Sequence, residues 1–254
     1  MEKQLHKLDL PFTIFEAVQG NALTEDEITS YYDTEYYNNR PSYFTPGAAG
    51  CSLSHFFIYK KIVEEKIDVA LILEDDMALD KNLPRVLQKL FKEIRYDEII
   101  MLFYQSYLDI NLYASSKLPL TEKYNLYQVT DIKGLRSTGG YLIRYETAKK
   151  MTENLLPFCG FADDWQSFYN RKIFNGIRLV YPFLLNNTYQ ATTISPNSKG
   201  GNTLKKIMQF VENYKVFPLY QLFKWRRKIN IIQTRRCFIV NKPVNDFRRT
   251  TAIT

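Results

Sequence analysis

The stretch that most constrains this chain is Asp68 to Leu79, DVALILEDDMAL, where five apolar residues, Val69 to Leu73, run straight into Glu74, Asp75 and Asp76. So short an aliphatic run, bounded by charge, predicts a buried strand of a parallel sheet. PRVLQKLFKEIR follows, an amphipathic helix with Pro84 in its first turn, and then the strand EIIMLF. That β-α-β order calls for an α/β chain with an open sheet flanked by helices.

The remaining segments extend the pattern. Residues 12–18, FTIFEAV, read as a short strand, and TEDEI as a helix start capped by Thr24. Residues 31–46 have no period and read as a loop. CSLSHFFIYKKIVEEK has helical spacing, with Gly47 and Gly50 at its entry. Residues 104–137 are polar and aromatic and suit a hairpin. Thr138 to Ile143 is a strand after a Gly turn, YETAKKMTENLL and ADDWQSFYNRKIF are helical, and RLVYPFLL is a last core strand.

With 254 residues, 45% of them hydrophobic and 24% charged, the chain fits one globular domain with a peripheral C-terminal piece. Charge marks the boundary. From Lys199 onward there are 13 Lys and Arg against two acids, a net of +11. Residues 1–198 hold 21 bases and 25 acids, a net of −4. Three cysteines without a paired framework fit a reducing cytoplasm, and neither a signal peptide nor an apolar run of spanning length is expected. Zinc-ligand spacing and Walker, Rossmann and G-x-S-x-G motifs are absent from the sequence.

In an open α/β sheet ligands bind outside the carboxyl ends of strands, which is where Glu74, Asp75 and Asp76 fall. Three adjacent carboxylates repel one another unless a cation or solvent neutralises them. A divalent ion with oxygen ligands, holding a diphosphate, would do so. A solvated acidic turn would look the same. A second acidic pair, Asp163-Asp164, heads a predicted helix, where the dipole keeps a carboxylate ionised. Such a group could serve as a general base, or only as a cap. Gly139-Gly140 could admit a phosphate or simply form a turn, and Cys51 reads as packing.

The segment GAAGCSLSHFFIYKKIVEEKIDVALILEDDMAL resembles the signature of glycosyltransferase family 25, the bacterial lipooligosaccharide galactosyltransferases and their relatives. A Gly-Cys-x-x-Ser-His helix precedes an apolar strand ending in Glu-Asp-Asp in both. STGGYLIRYETAKKM and FADDWQ resemble later motifs, and the likeness spans roughly residues 12–196. The resemblance implies a GT-A-like open mixed sheet and transfer of a hexose, commonly galactose from UDP-galactose, with inversion. It implies that Glu74, Asp75 and Asp76 form a DxD-like donor site, with Glu74 and Asp76 on Mn²⁺ or Mg²⁺, and that Ser54 and His55 line the donor pocket. Asp163 or Asp164 would be the catalytic base, and Trp165 would stack on the acceptor sugar. The family's first strand lies upstream of the segment where Met1 falls, so that strand is expected to be missing. The alternative is an impaired member that binds membrane glycolipid without turnover. After Leu184 there is no histidine to complete a metal site.

The C-terminal piece interleaves KWRRK (224–228), 235–236 and 248–249 with Phe, Trp, Leu and Ile. That pattern suits an anionic membrane surface better than nucleic acid, given the acidic body. It places the chain in the cytoplasm, peripheral on the inner membrane, beside a lipid-linked oligosaccharide acceptor.

Overall fold

A computed structural model describes residues 1–39, 44–106, 108–188, 210–211, 214–233 and 237–241. The helices are α1 (Glu2–Lys7), α2 (Glu25–Tyr31), α3 (Thr34–Asn38), α4 (Pro46–Glu64), α5 (Leu83–Glu93), α6 (Tyr145–Asn154) and α7 (Trp165–Asn170). A further helix covers Leu219–Gln233. The strands are β1 (Val69–Leu73), β2 (Met77–Leu79), β3 (Glu98–Met101), β4 (Gln105–Ser106), β5 (Ile110–Tyr113), β6 (Leu118–Pro119), β7 (Asn125–Gln128), β8 (Leu135–Arg136), β9 (Gly140–Arg144), β10 (Gly176–Tyr181), β11 (Leu185–Asn187) and β12 (Cys237–Val240).

Six strands form the central sheet in the order β1-β9-β3-β10-β7-β6. Side chains alternate across it with the two-residue period of a strand. Ile99, Met101, Tyr141, Ile143, Ile177 and Leu179 pack on one face with residues of α4, α6 and α7. Ile100, Leu142, Val180 and Leu126 pack on the other with Leu83, Val86, Leu87 and Leu90 of α5. Both faces are therefore dry, which explains why these strands read as continuous apolar runs. The architecture is the open mixed sheet flanked by helices that the sequence predicts.

Several local expectations need correction. β1 is not in a parallel pair; it lies at the sheet edge, antiparallel to β9. An apolar run reports burial and says nothing of its neighbour's direction. β1 and β3 both flank β9 antiparallel, so the β-α-β unit holds with one strand inserted between its ends. Among the described residues of this sheet, only β3 and β10 pair in parallel. Residues 12–18 form no strand, because that segment finds no sheet edge and lies against α4 instead. The predicted 31–46 loop contains α3, where the Asp33 carboxylate accepts from Tyr36 N–H at 2.7 Å; residues 40–43 of it lie outside the described residues. The predicted last strand splits at Pro182, and β11 leaves the main sheet to pair with β2. Thr24 does cap α2, in a reciprocal box with Glu27.

α4 is the spine of the site. Thr45 caps it by accepting from Ala48 N–H at 3.2 Å, and Pro46 opens its first turn. Gly50 faces the 18–20 segment so closely that a Cβ would stand 2.5 Å from Val18 O and 2.7 Å from Gly20 N. Gly47 and Gly50 therefore lie inside the helix, and Gly50 is there for close approach. On the other side, Gln4 of α1 donates to Met77 O and accepts from Leu79 N–H, both at 2.9 Å, fixing β2 directly after the acid cluster.

Candidate active site

Two acid groups distant in sequence meet at one short segment, Ser137-Thr138-Gly139, which leads into β9. Thr138 Oγ1 donates a short hydrogen bond to Glu74 Oε1. Ser137 N–H donates to Asp163 Oδ2 at 3.0 Å, and Ser137 C=O accepts from Trp165 Nε1 at 3.1 Å. Glu74 N–H donates to Gly139 C=O at 3.1 Å. Ser137 holds φ at +86°, a region that costs a non-glycine residue on the order of 1–3 kcal/mol. Its hydroxyl accepts from Gly139 N–H at 3.1 Å, which helps hold the turn.

Behind Glu74 stands a buried chain of hydrogen-bonding groups. His55 Nε2 lies 3.6 Å from Glu74 Oε1, and His55 Nδ1 is 2.8 Å from the Tyr141 hydroxyl, which in turn is 2.7 Å from that of Tyr59. Burial alone would raise the Glu74 carboxyl, but His55 and Thr138 outweigh it and hold the group below its ordinary value. Cys51 completes this corner: its sulfur and ligand atoms of His55 and Glu74 lie within 4.8 Å of one another. A thiol, an imidazole and one carboxylate suit a softer ion than Mn²⁺ or Mg²⁺. Burial, with the charges of Glu74 and Asp163, pushes the Cys51 thiol up to about 12, so at neutral pH it is uncharged.

Asp76 turns the other way. Its Oδ2 accepts from Asn187 Nδ2 at 3.1 Å, and its C=O from Thr188 N–H at 2.9 Å. Its Oδ1 is buried and, among the described residues, has no hydrogen-bond partner; the same holds for Thr188 Oγ1. Burial first, then Glu74 and Asp75, raise the Asp76 carboxyl. A carboxylate oxygen left without a donor, beside two further acids, fits a hard cation. Asp75 is exposed.

Asp163 is held by Ser137 and raised, chiefly by burial and also by Asp164, with Ser137 and Arg136 opposing. Asp164 sits at the head of α7 without making a side-chain cap bond, 3.9 Å from Arg136 Nη1. Ser52 of α4 accepts from Ala162 N–H at 3.0 Å and so fixes the approach to both.

Other predicted site residues land elsewhere. Ser54 is buried and its hydroxyl is already engaged, accepting from Val18 N–H at 2.9 Å and donating to Gly50 C=O at 2.7 Å. It joins α4 to the 18–20 segment. Trp165 is 0% exposed, with its ring edge-on to Tyr141 at 5.2 Å, so in this structure it offers no face to a sugar. It braces the Ser137 turn. Gly139 and Gly140 are there for packing: a Cβ on Gly140 would stand 2.1 Å from Leu185 Cδ1. Thr138, Ser137, Tyr141 and Asn187 escaped the sequence reading. Their only signal was position, Thr138 and Ser137 just before the Gly pair and Asn187 two residues past the last predicted strand.

Comparison with known proteins bears on this arrangement. The family model described as glycosyltransferase family 25 (LPS biosynthesis protein) matches residues 1–165. Procollagen galactosyltransferase 2 of Mus musculus is 31% identical over 102 residues, 37% of this chain and 16% of that protein. The Homo sapiens protein of the same name is 27% identical over 165 residues, 59% of this chain and 24% of its own length. The lipooligosaccharide biosynthesis protein lic2B of Haemophilus influenzae is 23% identical over 159 residues, 61% of this chain and 57% of its own. The chain thus spans from under a fifth to somewhat over half of these relatives.

Proposed function

Since the chain belongs to glycosyltransferase family 25, we propose that it moves a hexose, galactose from UDP-galactose, onto a lipooligosaccharide acceptor in a single inverting displacement assisted by Mn²⁺ or Mg²⁺. The observation that carries the reading is the Ser137-Thr138-Gly139 segment, which binds the Glu74 cluster and Asp163 through consecutive residues. An inverting displacement needs a base for the attacking hydroxyl and a group that stabilises the leaving diphosphate, and the two acid groups joined here can serve these two needs.

Asp76, with the Glu74 oxygen that Thr138 leaves free, would hold the ion, and Asp75 stands beside them. When bound, the ion neutralises charge on the diphosphate. Asp163 takes the acceptor proton: its raised pKa brings it nearer the working range of a general base, and Ser137 N–H fixes its orientation. Asp164, near Arg136, positions the neighbouring loop. His55, in contact with Glu74 and Tyr141, keeps the donor-side carboxylate ionised.

The same reading puts the chain on an anionic membrane surface, cytoplasmic and peripheral. Phe217 (77% exposed) and Trp225 (61% exposed) stand with exposed Lys224 and Arg226, a basic and aromatic surface of the kind that sits at headgroup depth. Among the described residues no helix is long and apolar enough to cross a membrane. The other basic pairs, 235–236 and 248–249, lie outside the described residues.

The test is release of nucleotide diphosphate from a panel of nucleotide sugars, with and without Mn²⁺ and a glycolipid acceptor. Release from UDP-galactose that needs the metal and rises with acceptor is expected. No release from any donor, with glycolipid still bound, would establish the non-catalytic alternative.

A further inference from the structure

A cleft of about 230 Å³ lies along the flank of α7 that carries Gln166 and Tyr169. Its wall is Gln128, Thr130 and Asp131 on one side and Gln166 and Tyr169 of α7 on the other, with Gly176 at one end. Val129, Ile132 and Ile177 form its floor and are buried. Apolar floor, amide and hydroxyl rim and one half-exposed phenol ring match a sugar ring, which has an apolar C–H face and a hydroxyl edge. The lining contains no Lys or Arg and one Asp. A diphosphate would be repelled there, so a neutral saccharide fits and the donor nucleotide does not. At this size, below the roughly 300–1,000 Å³ of clefts for drug-sized ligands, it takes one ring rather than a chain.

Its position links it to the chemistry. Tyr169 lies five residues along from Asp164, about 7 Å at the rise of an α-helix. The opposite wall runs from Asp131 through β8 to Ser137, the residue that holds Asp163. Both walls are therefore continuous in the chain with residues at the proposed base. We propose that this cleft is a saccharide subsite that binds a neutral sugar of the acceptor, one or two units away from the hydroxyl that reacts. This rests on the transferase reading for its role but not for its existence.

Gly176 supplies the test, because a Cβ there meets nothing within 4 Å. Gly176→Trp puts an indole at the edge of the cleft, where a Cβ has open space, and Gln166→Ala removes one rim amide as a milder second variant. The full chain is mixed with neutral di- and trisaccharides of hexoses and N-acetylhexosamines and read by saturation-transfer NMR. At least one sugar should bind, with affinity at least tenfold weaker in Gly176→Trp and severalfold weaker in Gln166→Ala, both checked for folding by circular dichroism. Excess UDP should leave the signal in place. Absence of binding by every sugar, binding indifferent to both variants, or displacement by UDP would overturn the subsite. Donor hydrolysis by the unaltered protein is measured in parallel. If it fails while the sugar signal behaves as expected, the transferase reading falls and the cleft stands.

Discussion

Asp163 carries a carboxyl that burial and Asp164 raise, held in place by Ser137 N–H and faced by Arg136 and the uncharged Cys51 thiol. A carboxyl with a higher pKa in the folded than in the unfolded chain keeps its proton more tightly when folded. Stability from this group is therefore complete below the unfolded value, about 3.9, and is lost as pH rises through the folded value. Asp163→Asn removes that loss while its amide oxygen can still accept from Ser137. The variant should melt above the unaltered protein at pH 7, with the gap closing toward about pH 3, and should lose about 10²- to 10⁴-fold in transfer. A variant that melts lower at pH 7, or turns over normally, removes Asp163 from the role of base. Asp76 gives a second test at this scale. Its unpartnered Oδ1 is the proposed cation contact, so Asp76→Asn should abolish stimulation of diphosphate release by Mn²⁺. A titration with Mn²⁺ that still saturates with unchanged midpoint would place the ion elsewhere.

Among the elements, α5 and α4 cover opposite faces of one sheet, and their side chains do different jobs. Leu90 is fully buried in the cluster beneath α5, remote from the α4 face that carries Cys51 and His55. Leu90→Ala should cost about 2–5 kcal/mol, or about 10 °C in melting temperature for a domain of this size. Donor hydrolysis per folded molecule at low temperature should stay within a few-fold, and a complete loss there would mean that the α5 face also shapes the site. This division was partly legible before the structure. Val69 to Leu73 running into three acids required a strand with carboxylates at its end, and the Ser54-His55 helix could be placed before it. The direction of β1 could not be read, since it depends on which strand arrives beside it. Nor could the role of Ser137, because its identity does not announce a φ of +86° or the two backbone bonds that tie it to Asp163 and Trp165. Trp165 could not be placed from sequence, because an aromatic at a helix start is equally suited to a sugar or to a core; here it is buried.

Over the whole molecule, charge is segregated: a body of net −4 carries a C-terminal piece of net +11. Near an anionic surface each base contributes about 1 kcal/mol. Lys224→Ala with Arg226→Ala should therefore weaken binding to vesicles containing phosphatidylserine about 30-fold at low salt. Trp225→Ala should reduce the part of binding that survives high salt, where screening removes the charge contribution but not the apolar one. Vesicle sedimentation that is unchanged in both variants, or protein that prefers single-stranded nucleic acid at physiological salt, would end the membrane proposal.

The C-terminal piece is also stitched back onto the body. β12 pairs in parallel with β5, Cys237 opposite Ile110 through Val240 opposite Tyr113. Only four peptide steps separate Gln233, the last residue of the basic helix, from Cys237, so the end of that helix stays within about 15 Å of the start of β12. A leash that short keeps the end of the basic helix close to the body. A molecule settling on a bilayer through Trp225 would therefore bring the β5 side of its body toward the lipid.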